Sequence, residues 1–342
     1  MRIIYLLPTH NNKPSGGVKV IYQHVEILNT MGIEASVLHL YKPGFNCTWF
    51  KNNAIKKKSA VFDSSNDFLV IPEVLAGDIG SFCLKNNLKY GIFVQNGYLI
   101  QKGKNKNTNS EFFEVYKKAE IILVISEEVK KTVKFIFSSY DTKKIIRTRP
   151  YIKDLSNSVN KSFLISFMSR KLNDHSKNIL FLLKNKINTK WKFIDINNYN
   201  EEQTVHFLNR SRVFLSFSDQ EGLGLPPIEA ALCNNVVIGY TGRGGDEYFK
   251  LPIFNKVEYG DMINFISKIK STCQMIENNL FYHKDNGINI QKNNLLSHYS
   301  YFEVKKDLEN FFNSIKLIEC TKDKTQIKFS TNPILNFFYN CN

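Results

Sequence analysis

Residues 219–248 read DQEGLGLPPIEAALCNNVVIGYTGRGGDEY, and the fold turns on this stretch. Just upstream, Val213, Phe214, Leu215, Ser216 and Phe217 form a short, mostly apolar run of β-branched and aromatic residues, the pattern of a buried parallel strand. A loop with two glycines, Gly222 and Gly224, follows, and then Pro226 and Pro227, which suit a first helical turn that has no use for their missing N–H groups. Glu221 is therefore expected on the loop and Glu229 in the first turn. A helix start of this kind offers unpaired N–H groups and the positive end of the helix dipole, a setting for a phosphate or diphosphate. A glutamate there also simply complements the dipole, so Glu229 alone decides nothing.

The surroundings extend the pattern. Residues 201–212 read as a helix leading into the strand, residues 236–240 as the next strand, and residues 242–247, GRGGDE, as a second glycine loop. Residues 2–7 form an apolar run before a loop ending in Gly16-Gly17. Val18, Ile21, Val25 and Leu28 then recur at helical spacing up to Gly32, and residues 35–40 supply another strand. This strand, helix and strand open a doubly wound sheet, whose ligands lie at the carboxyl ends of its strands. Further strands are expected at 68–71, 90–94 and 119–126, then at 163–168 and 191–196, with helices at 127–138, 259–276, 286–299 and 301–318. The segment 42–67 reads as a loop-rich insertion, and 103–110 as a polar loop on the acceptor side.

Glu221 and Glu229, with Gly-Leu-Gly-Leu-Pro-Pro between them and Ala-Ala after, resemble the E-x7-E signature of the retaining glycosyltransferases of family 4 (group 1). About fifty residues match that pattern in order. The resemblance implies the GT-B fold: α/β, with two Rossmann-like domains and a cleft between them. It divides the chain into an acceptor-binding domain over 1–152, a nucleotide-sugar domain over 153–300, a helix over 301–320 crossing back to the first domain, and a tail over 321–342. Its donor-binding residues would be Glu229, Gly222, Leu223, Gly224 and Leu225, joined by Gly16 and Gly17 from the first domain. Glu221 would orient the sugar. After the strand at 163–168 the family carries an arginine and a lysine that neutralise the diphosphate. Arg170 fits the first; Lys171 and Lys177 compete for the second, with Lys177 preferred and Lys171 kept as donor-binding. Where many members carry a histidine against the donor sugar, this chain has Gln95-Asn96, and Asn96 or Gln95 takes its place.

Composition bounds the rest. At 342 residues the chain exceeds one ordinary core. Six scattered cysteines suggest neither a zinc site nor a disulfide framework, which favours a reducing, cytoplasmic setting. No apolar run is long enough for a membrane span, and 3–7 is too short for a signal peptide. The net charge of +15 is concentrated in residues 1–150, with 22 Lys+Arg against 12 Asp+Glu. No nucleic-acid recognition motif stands beside that charge, so the expected partners are a nucleotide-sugar donor, a glycan or lipid-linked acceptor and an anionic membrane face, not nucleic acid. No Asp-x-Asp appears, so no metal and no cofactor beyond the donor is expected. The function implied is sugar transfer, metal-independent, in a bacterial surface glycan pathway. The alternatives are a non-catalytic sugar-nucleotide or glycan-binding subunit and a GT-B nucleotide-sugar epimerase.

Overall fold

The computed structural model describes residues 1–8, 11–138, 141, 144–279, 285–316, 318 and 325–329, and side chains for all of these except 285–291. The chain separates into two compact units: Met1–Tyr151 with Tyr301 onward, and Ile152–Ser300. Apart from residues 325–329, the expected tail lies outside the described residues.

The first unit runs β1 (Arg2–Leu7), α1 (Gly16–Thr30), β2 (Ala35–His39), β3 (Val61–Asp63), β4 (Asp67–Pro72), α2 (Ala76–Lys85), β5 (Lys89–Val94), α3 (Asn109–Lys118), β6 (Ile121–Val124), α4 (Glu127–Ile136) and β7 (Ile145–Arg147). Its six-stranded sheet, in the order β2-β1-β4-β5-β6-β7, is parallel throughout. Residues 2–7 form a strand because Ile3, Ile4, Tyr5, Leu6 and Leu7 are all buried, leaving no polar face to alternate with. The insertion is partly tied down: Val37 in β2 exchanges backbone hydrogen bonds with Ile55 and Lys57, both 2.8 Å. The sequence also holds a helix start inside the stretch read as loop. Thr108 accepts from Glu111 N while the Glu111 carboxylate accepts from Thr108 N, a capping box that begins α3.

The second unit runs β8 (Leu164–Phe167), α5 (Asn173–Leu183), β9 (Lys192–Asp195), α6 (Glu201–Arg210), β10 (Val213–Glu221), α7 (Leu225–Leu232), β11 (Val236–Arg243), β12 (Phe254–Lys256), α8 (Met262–Glu277) and α9 (Asp285–His298). Its sheet, β12-β11-β10-β8-β9, is again all parallel. Ile165, Val213, Leu215, Val236, Ile238 and Phe265 fill the core beneath it. Strand β10 is longer than its apolar run suggests. After Phe217 it continues through a bulge, with Gln220 at φ +46°, to pair Glu221 with Arg243.

Helix α10 (Tyr301–Ile315) packs with the first unit, and β13 (Gln326–Lys328) pairs antiparallel with β3. Val304, Leu308, Phe311 and Ile315 bury one helical stripe of α10, with Phe311 against Phe68 of β4. Phe302 lies outside the spacing of these four and is 70% exposed. Arg149 pins the helix: its backbone N, Nε and Nη2 all donate to the Asp307 carboxylate, at 3.0, 2.8 and 2.9 Å. Among the described residues, no helix is long and apolar enough to cross a membrane.

Candidate functional site

In each unit, the loops at the carboxyl ends of the parallel strands collect the polar residues, as doubly wound sheets require. In the second unit these are the loop after β8 with Arg170 and Lys171, the end of β9 with Asp195, the end of β10 with Glu221, and the loop after β11. Lys171 Nζ lies 2.8 Å from Glu221 Oε1 and donates to the Asp219 carbonyl at 3.1 Å. Both partners stay within reach of solvent, with 32% and 25% of their side chains exposed, so this is a rearrangeable pair rather than a buried one. Arg170 is exposed in the same loop and forms no ion pair among the described residues.

The basic loop is held from below. Ser169 Oγ donates to Asp195 Oδ2 at 2.5 Å, and Asn197 Nδ2 donates to Ser169 Oγ at 2.8 Å. Asp195 and Asn197 thus hold Ser169, the second residue after β8, and so set where Arg170 and Lys171 leave the sheet. The sequence singled out none of the three, because each is an ordinary polar residue at a strand end.

Lys177 stands apart from this pair. It sits on the outer face of α5, 67% exposed, beside Asp174 at 3.6 Å. Helix α5 begins only at Asn173, so position 177 falls one turn inside it and is carried outward, whereas 171 stays in the loop at the sheet edge. Of the two lysines, Lys171 is the one that stands beside Glu221, and Lys177 is not. His175, on α5 as well, bonds Tyr240 of β11 at 2.5 Å, and burial lowers its pKa, so it acts as a neutral packing partner.

The glycine loop also differs from expectation. Gly222, Leu223 and Gly224 are all buried, while Leu225 is half-buried. The second glycine loop packs onto the first so closely that a Cβ on Gly244 would lie 2.4 Å from the Gly222 carbonyl oxygen. The buried hydroxyl of Tyr248 donates to the carbonyls of Leu223 and Gly224, at 3.1 and 2.8 Å, and Gly224 takes φ +84° ahead of the helix. The two glycine loops thus form one closely packed joint.

Helix α7 starts at Leu225, so Glu229 is its fifth residue and lies in the second turn, half-buried. Pro226 and Pro227 occupy the second and third positions and delete two of the first-turn N–H groups. This helix end therefore offers an anion fewer donors than an ordinary one, and positive charge at the edge falls to Lys171 and Arg170.

In the first unit, Gly16 and Gly17 are not a loop before α1 but its first two residues, after Ser15. Gly17 lies against Gln95: a Cβ there would meet the flexible end of that side chain, Oε1 at 2.1 Å, and Gln95 Nε2 donates to the Gly17 carbonyl at 3.1 Å. Asn96 Oδ1 accepts from Tyr98 N at 3.0 Å, capping the turn after β5. Beneath both lies Glu73, a residue the sequence did not single out. Its carboxylate accepts the backbone N–H groups of Gln95, at 3.2 Å, and Asn96, at 3.0 Å. Burial pushes its pKa up to about 7 against the lowering pull of those amides. One buried carboxylate thus ties the ends of β4 and β5 together, and Gln95 ties them to the start of α1. This is the point where the strand order reverses, β1 having β2 on one side and β4 on the other. The signal was a glutamate immediately after an apolar strand, Pro72-Glu73, which sequence reading treats as a helix start. Among the described residues, no group of three or more His, Cys, Asp or Glu is placed to hold a metal ion.

No protein-family model matches the chain, and no curated protein matches it by sequence. Solved structures do match. Sucrose-phosphate synthase from Thermosynechococcus elongatus superposes with a TM-score of 0.64 at 10% identity, over 92% of this chain and 99% of that one. The pneumococcal O-GlcNAc transferase GtfA, in complex with UDP and GlcNAc, gives 0.62 at 11% identity over 92% and 98%. TarM gives 0.54 at 15% identity over 73% of this chain, which spans 55% of TarM's length. These likenesses show the fold: α/β, two Rossmann-like units, as in the GT-B glycosyltransferases.

Proposed function

We propose that the chain is a retaining glycosyltransferase that moves a sugar from a nucleotide diphosphate to an acceptor hydroxyl in the synthesis of a bacterial surface glycan. The observation that carries this reading is the meeting of Lys171 and Glu221 at the carboxyl edge of the second sheet, with Arg170 exposed beside them. A departing diphosphate gathers negative charge, and cations already in place stabilise it without reorganisation. Lys171 leaves Glu221 for the diphosphate as the donor binds, and Glu221 is freed to orient the sugar and face the positive charge that develops on it. Arg170 supplies the second cation, and Glu229, one turn into α7, holds the ribose. The second unit takes the nucleotide sugar and the first the acceptor. Turnover is expected without added divalent metal, with Lys171 and Arg170 supplying the charge that neutralises the diphosphate.

Uridine is the first base to test, since GtfA is solved with UDP and GlcNAc and Anabaena Alr3699/HepE with UDP-glucose. Thermal stability against UDP-, GDP- and dTDP-sugars is the direct measurement. A donor at about 100 times its Kd stabilises by roughly 2.7 kcal/mol, a shift of a few degrees. The shift is expected with a UDP-sugar for the wild type and is expected to vanish in Glu229→Ala. Glu221→Ala is expected to keep the shift and lose transfer; a Glu221→Ala protein that transfers sugar at the wild-type rate ends this assignment. Loss of turnover in a chelator, restored by manganese, ends the metal-free one.

A further inference from the structure

Helix α4 in the first unit buries Val129 and Val133 and turns Lys131, Lys134 and Phe135 outward. Phe135 is 87% exposed, more than any other large apolar side chain among the described residues. One exposed phenylalanine needs no explanation, but this one is not alone. Neighbouring α3 presents Phe113, 46% exposed, whose ring lies 5.2 Å from that of Phe137 at the end of α4. Tyr116 of α3 stacks on the same Phe137 ring at 4.0 Å, so the two helices share one joint.

Charge divides sharply along α4. Its acids sit in the first turn and are engaged, Glu127 with Arg147 at 3.5 Å and Glu128 with the Tyr98 hydroxyl at 2.9 Å. The rest of the helix holds Lys130, Lys131 and Lys134 and no acid. Lys117 stands exposed one turn after Phe113 on α3. None of these four lysines forms an ion pair among the described residues.

We propose that the α3–α4 face docks on an anionic lipid surface, with Phe135 and Phe113 entering the headgroup boundary and Lys117, Lys130, Lys131 and Lys134 lying over the lipid phosphates. Interfacial helices combine lysines on the polar face with inserted aromatic residues in this way. A protein partner fits less well, because lysine is depleted from protein interfaces, and tyrosine, tryptophan and arginine carry their binding energy. This proposal names a partner for the first unit and does not depend on the chemistry assigned to the second.

The test is co-sedimentation of the full chain with vesicles of phosphatidylcholine, with and without phosphatidylglycerol. Binding is expected only with phosphatidylglycerol and is expected to weaken as salt rises. Each of Lys130→Ala, Lys131→Ala and Lys134→Ala should weaken binding about fivefold, the fold-change for about 1 kcal/mol per lysine at such a surface. Phe135→Ala should weaken it at high salt too, where only the apolar contact survives, while Lys186→Ala on the second unit should leave it unchanged. Phe135→Trp should show a blue-shifted emission on phosphatidylglycerol vesicles. Lys131, Lys134 and Phe135 are exposed and Lys130 is half-buried, and each variant is expected to melt with the wild type. Equal binding to neutral vesicles, no binding to anionic ones, or full binding by a folded variant lacking all three α4 lysines and Phe135 overturns the proposal; so does a protein partner captured on this face by a chain that ignores lipid.

Discussion

The two sheet edges solve the same architectural problem with opposite electrostatics. In the second unit, Lys171 and Glu221 pair across a half-exposed edge within reach of solvent. In the first unit, Glu73 is 4% exposed and its carboxyl accepts from two consecutive backbone amides, so it is committed to holding loops while burial works against its charge. A rearrangeable ion pair suits a ligand that brings its own charge. A buried carboxyl that accepts backbone amides suits an edge that must keep its shape.

The largest expected effect separates the two edges directly. Lys171→Ala should lower transfer by about a hundredfold, the scale of removing one preorganised stabiliser of developing charge, with the melting temperature nearly unchanged. Steady-state rates with a UDP-sugar check it, and an equal loss of stability would move Lys171 from the chemistry to the scaffold.

Next comes Glu73→Gln, read as stability against pH. The Glu73 pKa is raised from the ordinary 4.5 to about 7, so the folded state holds this proton more tightly than the unfolded chain. The stability it contributes is therefore full below about 4.5 and lost as pH rises through about 7, on the order of 3 kcal/mol at most. Denaturant melts from pH 4.5 to 8 should show this decline in the wild type and its absence in Glu73→Gln. Parallel curves for the two proteins would place the Glu73 carboxyl near its ordinary pKa.

Gly244→Ala drives a Cβ to 2.4 Å from the Gly222 carbonyl, and the joint cannot open without moving β10 or β11. Overpacking of this kind costs about 2–3 kcal/mol, read as a lower melting temperature and a weakened nucleotide shift. Tyr248→Phe removes the hydroxyl that bonds two carbonyls of the same joint, and about 1–2 kcal/mol is expected to go with it. The smallest effect is that of Lys177→Ala, which should match the wild type in both rate and stability because its side chain stands in solvent beside Asp174. A rate loss comparable to that of Lys171→Ala would reverse the assignment of the two lysines.

Much of this was legible without coordinates where burial and backbone geometry leave a mark in the residues. Residues 213–217 and 236–240 are apolar because both faces of a parallel sheet are covered, so the strands could be read directly. Gly222, Gly224, Pro226 and Pro227 announced a strand-to-helix joint. What the sequence could not show was which atoms that joint presents. Glu221 looked like a loop residue because Ser218, Asp219 and Gln220 are polar, yet a bulge keeps Glu221 in the ladder opposite Arg243. Counting helical turns from the prolines misplaced Glu229, because the helix starts at Leu225.

The sequence by itself determined the doubly wound α/β architecture, the two-part organisation and the stretch that carries the glutamate pair, because period, burial and turn chemistry are local and cumulative. Only the tertiary structure decided that Lys171, not Lys177, meets Glu221, that Tyr248 closes the glycine joint, and that Glu73 ties the first unit's strand ends together. Those are contacts between residues 22 to 50 positions apart, set by where parallel strands end relative to one another. A single sequence encodes such proximity only through the packed sheet.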